Sequence, residues 1–270
     1  MQKLQRFALV HARQAWFLVA LMWGLAVVGD TLHVWRFRAL TAPLIASFMF
    51  LALVLVWARW RRERLVREAP IPQYLKRKLC ETYPHLSRKD AELVERGLRQ
   101  FFLACLRSNR QFVAMPSRAV DAMWHEFILH TQAYRDWCDL ALGRFLHHTP
   151  AEVLGPQAKH NDGLRRAWYW ACRDEGIKPG QPSRLPLLFA LDAKLQIANG
   201  FRYEPDCRAI KAAGEAGAGI YCGTDFADGG YSGDADGFGG MDSSDASGGD
   251  GGADGGGGDG CGGGCGGGGD

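Results

Sequence analysis

The chain lacks the short spacings that mark the commoner metal, nucleotide and hydrolase sites. Its eight cysteines include no Cys-x-x-Cys pair, which removes zinc ribbons, zinc fingers and thioredoxin-like redox motifs. No His-Glu-x-x-His is present, because Glu126 follows His125 but Leu stands at position 129. The nucleophile elbow Gly-x-Ser-x-Gly, the phosphate-binding P-loop and a Gly-x-Gly-x-x-Gly ahead of a helix are missing too. No segment sustains period-two alternation between hairpin turns, so a β-sandwich or barrel is excluded. Positive charge is missing from the end of the chain. Residues Gly223 to Asp270 hold 23 Gly and 10 Asp and no Lys or Arg.

The formal net charge of +3 therefore divides into −10 on that stretch and +13 on the rest. Such asymmetry describes an acidic appendage on a basic body. The basic residues cluster beside apolar runs, which points to a membrane surface, and no nucleic-acid partner is expected. Glycine and aspartate cannot bury enough apolar surface to offset the entropy of ordering, so residues 223–270 are expected to be a disordered tail. Cys261 and Cys265, three glycines apart, could capture a soft metal or close a small disulfide loop on that flexible tether.

Ala39 to Ala58 is 20 residues without a charge, which at about 1.5 Å per residue crosses the ~30 Å hydrocarbon layer. An earlier apolar run from Ala15 reaches spanning length if it extends to Val34. Trp16, Trp35, Trp57 and Trp60 stand near the ends of these runs, where indole rings favour the interface. Lys3, Arg6 and Arg13 precede the first run, and Arg59, Arg61, Arg62, Arg64 and Arg67 follow the second. Only Arg36 and Arg38 lie between them. This asymmetry predicts a two-pass hairpin over residues 1–68, spans about 15–34 and 39–58, with both termini cytoplasmic. The competing reading of the first run is a cleaved signal peptide ending near Val27-Val28-Gly29.

Pro70-Ile71-Pro72 stops the membrane-proximal helix, and helical patterning continues to about Ala198. Ser87-Arg88-Lys89-Asp90 reads as a capping box, and Gly176 stops a helix that begins near Asn161. The expectation is an all-α protein: a membrane hairpin, a helical domain over 70–205, a linker over 206–222 and the tail. Cys80, Cys105, Cys138 and Cys172 fall within helical patterns, as buried thiols of a reducing compartment do, and argue against a disulfide framework.

Chemistry concentrates between Pro116 and Pro150. Val120, Trp124, Phe127, Thr131, Tyr134, Cys138 and Ala141 recur at steps of four and three, so one helix, or two broken near Thr131, buries this stripe. His130, Tyr134 and Cys138 share a face and read as a packed column. Asp121 and His125 lie on the other flank, one turn apart. A carboxylate so placed can fix the tautomer of an imidazole and raise its basicity, as around metal histidines and general bases. His147 and His148 follow Gly143 in a turn that could fold back toward His125. Asp121, His125 and one of that pair would then form an open three-ligand site for zinc or another transition metal, with His148 and His125 as its histidine ligands. A separation above about 10 Å would exclude this.

The run Val120-Asp121-x-x-Trp124-His125, followed by Tyr134, Cys138, Gly143 and the histidines, resembles the glycine-rich-domain-containing-protein-like family over roughly Leu75 to Pro150. The resemblance implies a helical domain of obscure role and carries over no catalytic activity. Many relatives place a second His two after the first, where this chain has Phe127. Three functions fit these residues. The first is a membrane-tethered, non-enzymatic module that binds a protein partner or small ligand. The second is a metal-dependent enzyme centred on Asp121, His125 and His147 or His148. The third is metal handling by the histidines together with the tail thiols. The sequence fixes no cofactor and no oligomeric state.

Overall fold

The computed structural model describes residues 3–32, 41–148, 159–206 and 220–226. Among them the chain is mainly helical: α1 (Lys3–His11), α2 (Ala15–Thr31), α3 (Thr41–Glu68), α4 (Tyr74–Thr82), α5 (Arg88–Arg107), α6 (Arg118–Leu129), α7 (Thr131–Ala141), α8 (Lys159–Asp174) and α9 (Leu187–Lys194). Two short parallel strands, β1 (Arg202–Glu204) and β2 (Ile220–Cys222), pair Arg202 with Ile220 and Glu204 with Cys222.

The core is built around α5, which packs on α3, α4, α6, α8 and α9. Its start is the expected capping box: the Asp90 N–H donates to Ser87 Oγ at 3.2 Å, and the Ser87 N–H to Asp90 Oδ2 at 2.9 Å. Val94, Leu98, Phe101, Phe102 and Cys105 form its buried face. α9, Leu-Leu-Phe-Ala-Leu-Asp-Ala-Lys, is apolar on nearly every side and accordingly buried. Gly176 ends α8 with φ +68°, the left-handed stop its position suggests.

α3 has two halves with different surroundings. One helix, Ala42–Glu68, is long and apolar enough to cross a membrane, with a mean hydropathy of 1.9 and only 6% of that apolar window buried. Phe48, Leu53 and Val56 are bare on its surface. Beyond Arg59 the same helix enters the domain. Val66 is fully buried, Arg107 donates to Glu63 at 2.7 Å, Arg99 donates to the Val66 carbonyl at 2.8 Å, and Arg67 pairs with Asp174. The apolar helix is thus continuous with the core.

The expected first span does not reach the same standard. α2 is an apolar helix of 17 residues, about 25 Å long. It lies beside α3, where Trp23 Nε1 donates to Ser47 Oγ at 3.1 Å. Residues 33–40, which would complete the first span and the loop, fall outside the described residues, as do residues 227–270 with Cys261 and Cys265.

The body differs from expectation in four places. It contains the β1–β2 pair, which three-residue strands are too short to announce by alternation. Ile220–Phe226, expected as linker and tail, belongs to the packed body: Phe226 is buried against the rings of Trp168, Phe189 and Tyr203. Cys222 is disulfide-bonded, a bond not anticipated from the case against a disulfide framework, whereas Cys80, Cys105, Cys138 and Cys172 are free thiols as expected. The long central segment divides at His130 (φ −86°, ψ 63°), the expected alternative of a break near Thr131, but the buried column changes. That break turns Thr131 and His130 outward, so His130 leaves the column of buried Tyr134 and Cys138 and rests on the Tyr74 ring, centroids 4.1 Å apart.

Candidate metal centre

α6 and the loop after α7 build the site. Ser117 caps α6, its Oγ accepting from the Val120 N–H at 3.3 Å. The buried Asp192 of α9 fixes the same terminus. It accepts from Ser117 Oγ at 2.6 Å, the Arg118 N–H at 2.8 Å, the Ala119 N–H at 3.2 Å and, from beyond α9, the Phe201 N–H at 3.0 Å. Four donors, three of them at a helix N-terminus, satisfy a carboxylate that is otherwise costly to bury. Sequence reading missed Asp192. Its signal was a single carboxylate inside an otherwise apolar helix.

The loop returns to α6 because Gly143 takes φ +68°, a conformation that costs glycine little. An added Cβ there would lie 2.4 Å from the Arg62 guanidinium carbon. The family-like stripe residues then hold the loop. Trp124 Nε1 donates to the Tyr134 hydroxyl at 3.1 Å, and that hydroxyl donates to the Leu146 carbonyl at 2.6 Å. The Leu146 backbone also hydrogen-bonds the Cys138 sulfur. Val120, Trp124, Tyr134 and Cys138 are all buried, so the residues assigned to the core also position the chain two residues before His148.

There the site closes. His148 Nε2 lies 2.9 Å from Asp121 Oδ1, and His125 Nδ1 lies 3.2 Å from Asp121 Oδ2 and 3.0 Å from the Asp121 carbonyl. The His125 and His148 rings are 4.2 Å apart, far inside the 10 Å limit. One potential ligand atom from each of the three residues lies within 4.8 Å of the other two, and no second group of this kind occurs among the described residues. Across a tetrahedral zinc with bonds of ~2.0–2.1 Å, neighbouring donors are about 3.3 Å apart. Both Asp–His separations are close to that value. Exposure grades across the site: the His148 side chain is 15% exposed, Asp121 32% and His125 52%. Trp124 packs against the inner face of His148, ring centroids 4.7 Å apart.

His147 does not join. It sits on the rim with its ring edge-on to Phe145 at 4.8 Å, as alternation along an extended loop requires. The family's sequence signature matches residues 61–226. The chain belongs to the UCP032817-like family. No curated protein and no solved structure matches it. The match fits the expectation of a poorly known family and leaves the glycine-rich-domain-containing name unconfirmed.

The UCP032817-like domain places the three residues on the wall of a cavity of about 620 Å³. Cys105 also lines it, but burial pushes that thiol up to about 12. It is protonated at neutral pH and is no nucleophile. Set into the cavity wall is one carboxylate shared by two imidazoles, an arrangement that suits a three-ligand metal with an open position.

Proposed function

We propose that this is a membrane-anchored protein whose UCP032817-like domain binds a divalent transition metal, zinc foremost, through Asp121, His125 and His148. The convergence of those three side chains carries the reading, with the cavity beside them supplying room for a fourth ligand. As placed, each imidazole can donate to Asp121; to hold an ion, each ring would carry its proton on the nitrogen far from Asp121 and offer the near one as ligand. The open position gives Lewis-acid or water-activating chemistry a place to occur. Two donors come from one helical turn and the third from a loop held by Trp124, Tyr134 and Cys138, which supplies the outer support that metal sites need.

The experiment is metal analysis of the purified full chain, alongside His125→Ala, His148→Ala and His147→Ala. About one equivalent of zinc in the wild type and His147→Ala proteins, and its loss in the other two, is the expected result. Zinc retained by His148→Ala, or never held by the wild type, refutes the reading.

The exposed apolar surface of α3, with α2 beside it, supports a two-pass anchor. Eight flanking cations against two in the loop put the body on the cytoplasmic side. The disulfide at Cys222 favours an oxidising compartment instead. The charge asymmetry involves ten residues and the disulfide a single bond, so we follow the charge. A reporter fused after residue 226 that is active only when exported would reverse this orientation.

A further inference from the structure

The same cavity carries an excess of positive charge that the metal ligands do not use. Arg110, Arg118 and Arg144 line it, against Asp121 as the one carboxylate among the described residues of its wall. None of the three arginines is in an ion pair with any described residue. By contrast, Arg99 pairs with Glu95, and Arg107 with both Glu63 and Asp174. Unneutralised guanidinium groups converging on one cavity concentrate anions there.

Their placement is specific. Arg118, Asp121 and His125 stand at i, i+3 and i+7 of α6 and so share one face. Arg144 and His148 come from the opposing loop. Each wall therefore contributes a guanidinium to the same cavity as its candidate ligands. The Arg118 guanidinium lies over the Phe201 ring, 5.6 Å from its centroid, and among the described residues Arg144 reaches the Cys105 carbonyl with a long 3.4 Å contact. Phe112, Phe145 and Phe201 furnish apolar wall between these charges. The volume falls within the range of about 300–1,000 Å³ typical of small-molecule sites.

We propose that the cavity takes a small organic anion, a carboxylate or phosphate monoester on an aromatic or aliphatic body. The anionic head occupies the open position of the metal and pairs with Arg118 and Arg144, whose planar forks match such oxygens, while the body lies on the phenylalanine wall. This rests on the metal reading above.

The test titrates zinc-loaded full-length protein in detergent with phenyl phosphate, benzoate and neutral benzyl alcohol by calorimetry, with zinc content measured on the same samples. At least one anion is expected to bind, and benzyl alcohol at least tenfold more weakly. Arg118→Gln and Arg144→Gln should each weaken the anion about tenfold with zinc content unchanged. The helical circular-dichroism signal and melting temperature identify any variant that has unfolded, and Arg118, whose side chain is exposed, keeps the test open if Arg144→Gln does not fold. Zinc-loaded protein that binds neither anion, or folded arginine variants that bind as tightly as wild type, overturns this inference alone. Protein that holds no zinc overturns the metal reading and this one with it.

Discussion

The Tyr134 hydroxyl donates to the Leu146 carbonyl at 2.6 Å, and through that bond a buried side chain of α7 sets the position of His148. Tyr134→Phe removes the bond and leaves both the Trp124 indole N–H and the Leu146 carbonyl without this partner. The loss should cost about 1–3 kcal/mol of stability. Because His148 follows Leu146 by two residues, zinc affinity should fall about 10–100-fold, as for other outer-shell changes. Competition titration against a zinc chelator measures it. A variant that melts lower but keeps wild-type affinity would show that the loop does not depend on this bond.

Local geometry was legible in the sequence wherever one turn of helix decided it. The Ser87–Asp90 cap and the Asp121–His125 pair follow from spacing alone. The arrival of His148 does not. It depends on a left-handed Gly143 and on Trp124 and Tyr134 acting at a distance, and spacing says only that the turn has room to fold back. Asp192 was out of reach for the same reason, since its partners at Ser117 to Ala119 are more than 70 residues away. The Ile220–Phe226 segment was hidden by composition: it adjoins a glycine-rich stretch, while its fixing contacts belong to rings of α8, α9 and β1. The one-residue break at His130 fell within the expected range, yet it reassigned His130 and Thr131 from core to surface.

Asp192 is the next test of how the site is held. Asp192→Ala strips four hydrogen bonds from the start of α6 and the approach to β1. Buried polar groups deprived of a charged partner are expensive, so destabilisation of about 3 kcal/mol or more is expected. Chemical denaturation of the full chain in detergent would reveal it. A loss below about 1 kcal/mol would mean that water replaces the carboxylate.

Gly143→Ala should also destabilise, by about 2 kcal/mol. The positive φ alone costs an alanine roughly 1 kcal/mol. The new methyl would also meet the Arg62 guanidinium at 2.4 Å and displace a side chain whose Nη2 donates to the Leu9 carbonyl at 2.9 Å. A melting temperature equal to wild type would show that Arg62 moves aside freely.

Cys105 separates cavity lining from reactivity. With its thiol pushed up to about 12 by burial, iodoacetamide at pH 8 should leave it unmodified in the folded protein and label it after denaturation. Peptide mass spectrometry reads the site directly. Rapid labelling of native protein would place Cys105 in contact with solvent and restore it as a candidate nucleophile.

Glu95 ties three helices together and makes their packing sensitive to acid. Burial alone would push its carboxyl up, but hydrogen bonds from Lys76 and Arg99 outweigh this and hold it below the usual carboxylate range. Lys76 Nζ and Arg99 Nη2 each lie 2.6 Å from its oxygens, and Arg99 also reaches the Val66 carbonyl of α3 at 2.8 Å. With the folded value below the unfolded value of about 4.3, the unfolded chain binds protons first as pH falls. The stabilisation from Glu95 is therefore complete above about pH 5 and is lost as pH drops through the depressed value. Glu95→Gln should be less stable than wild type at pH 7, and the gap should narrow below pH 4 because only the wild type loses the charge. Denaturation midpoints of the two proteins from pH 7 to pH 3 test this. A gap that stays constant to pH 3 would show that the native and unfolded carboxyls titrate alike and that the Lys76 and Arg99 contacts are offset by burial.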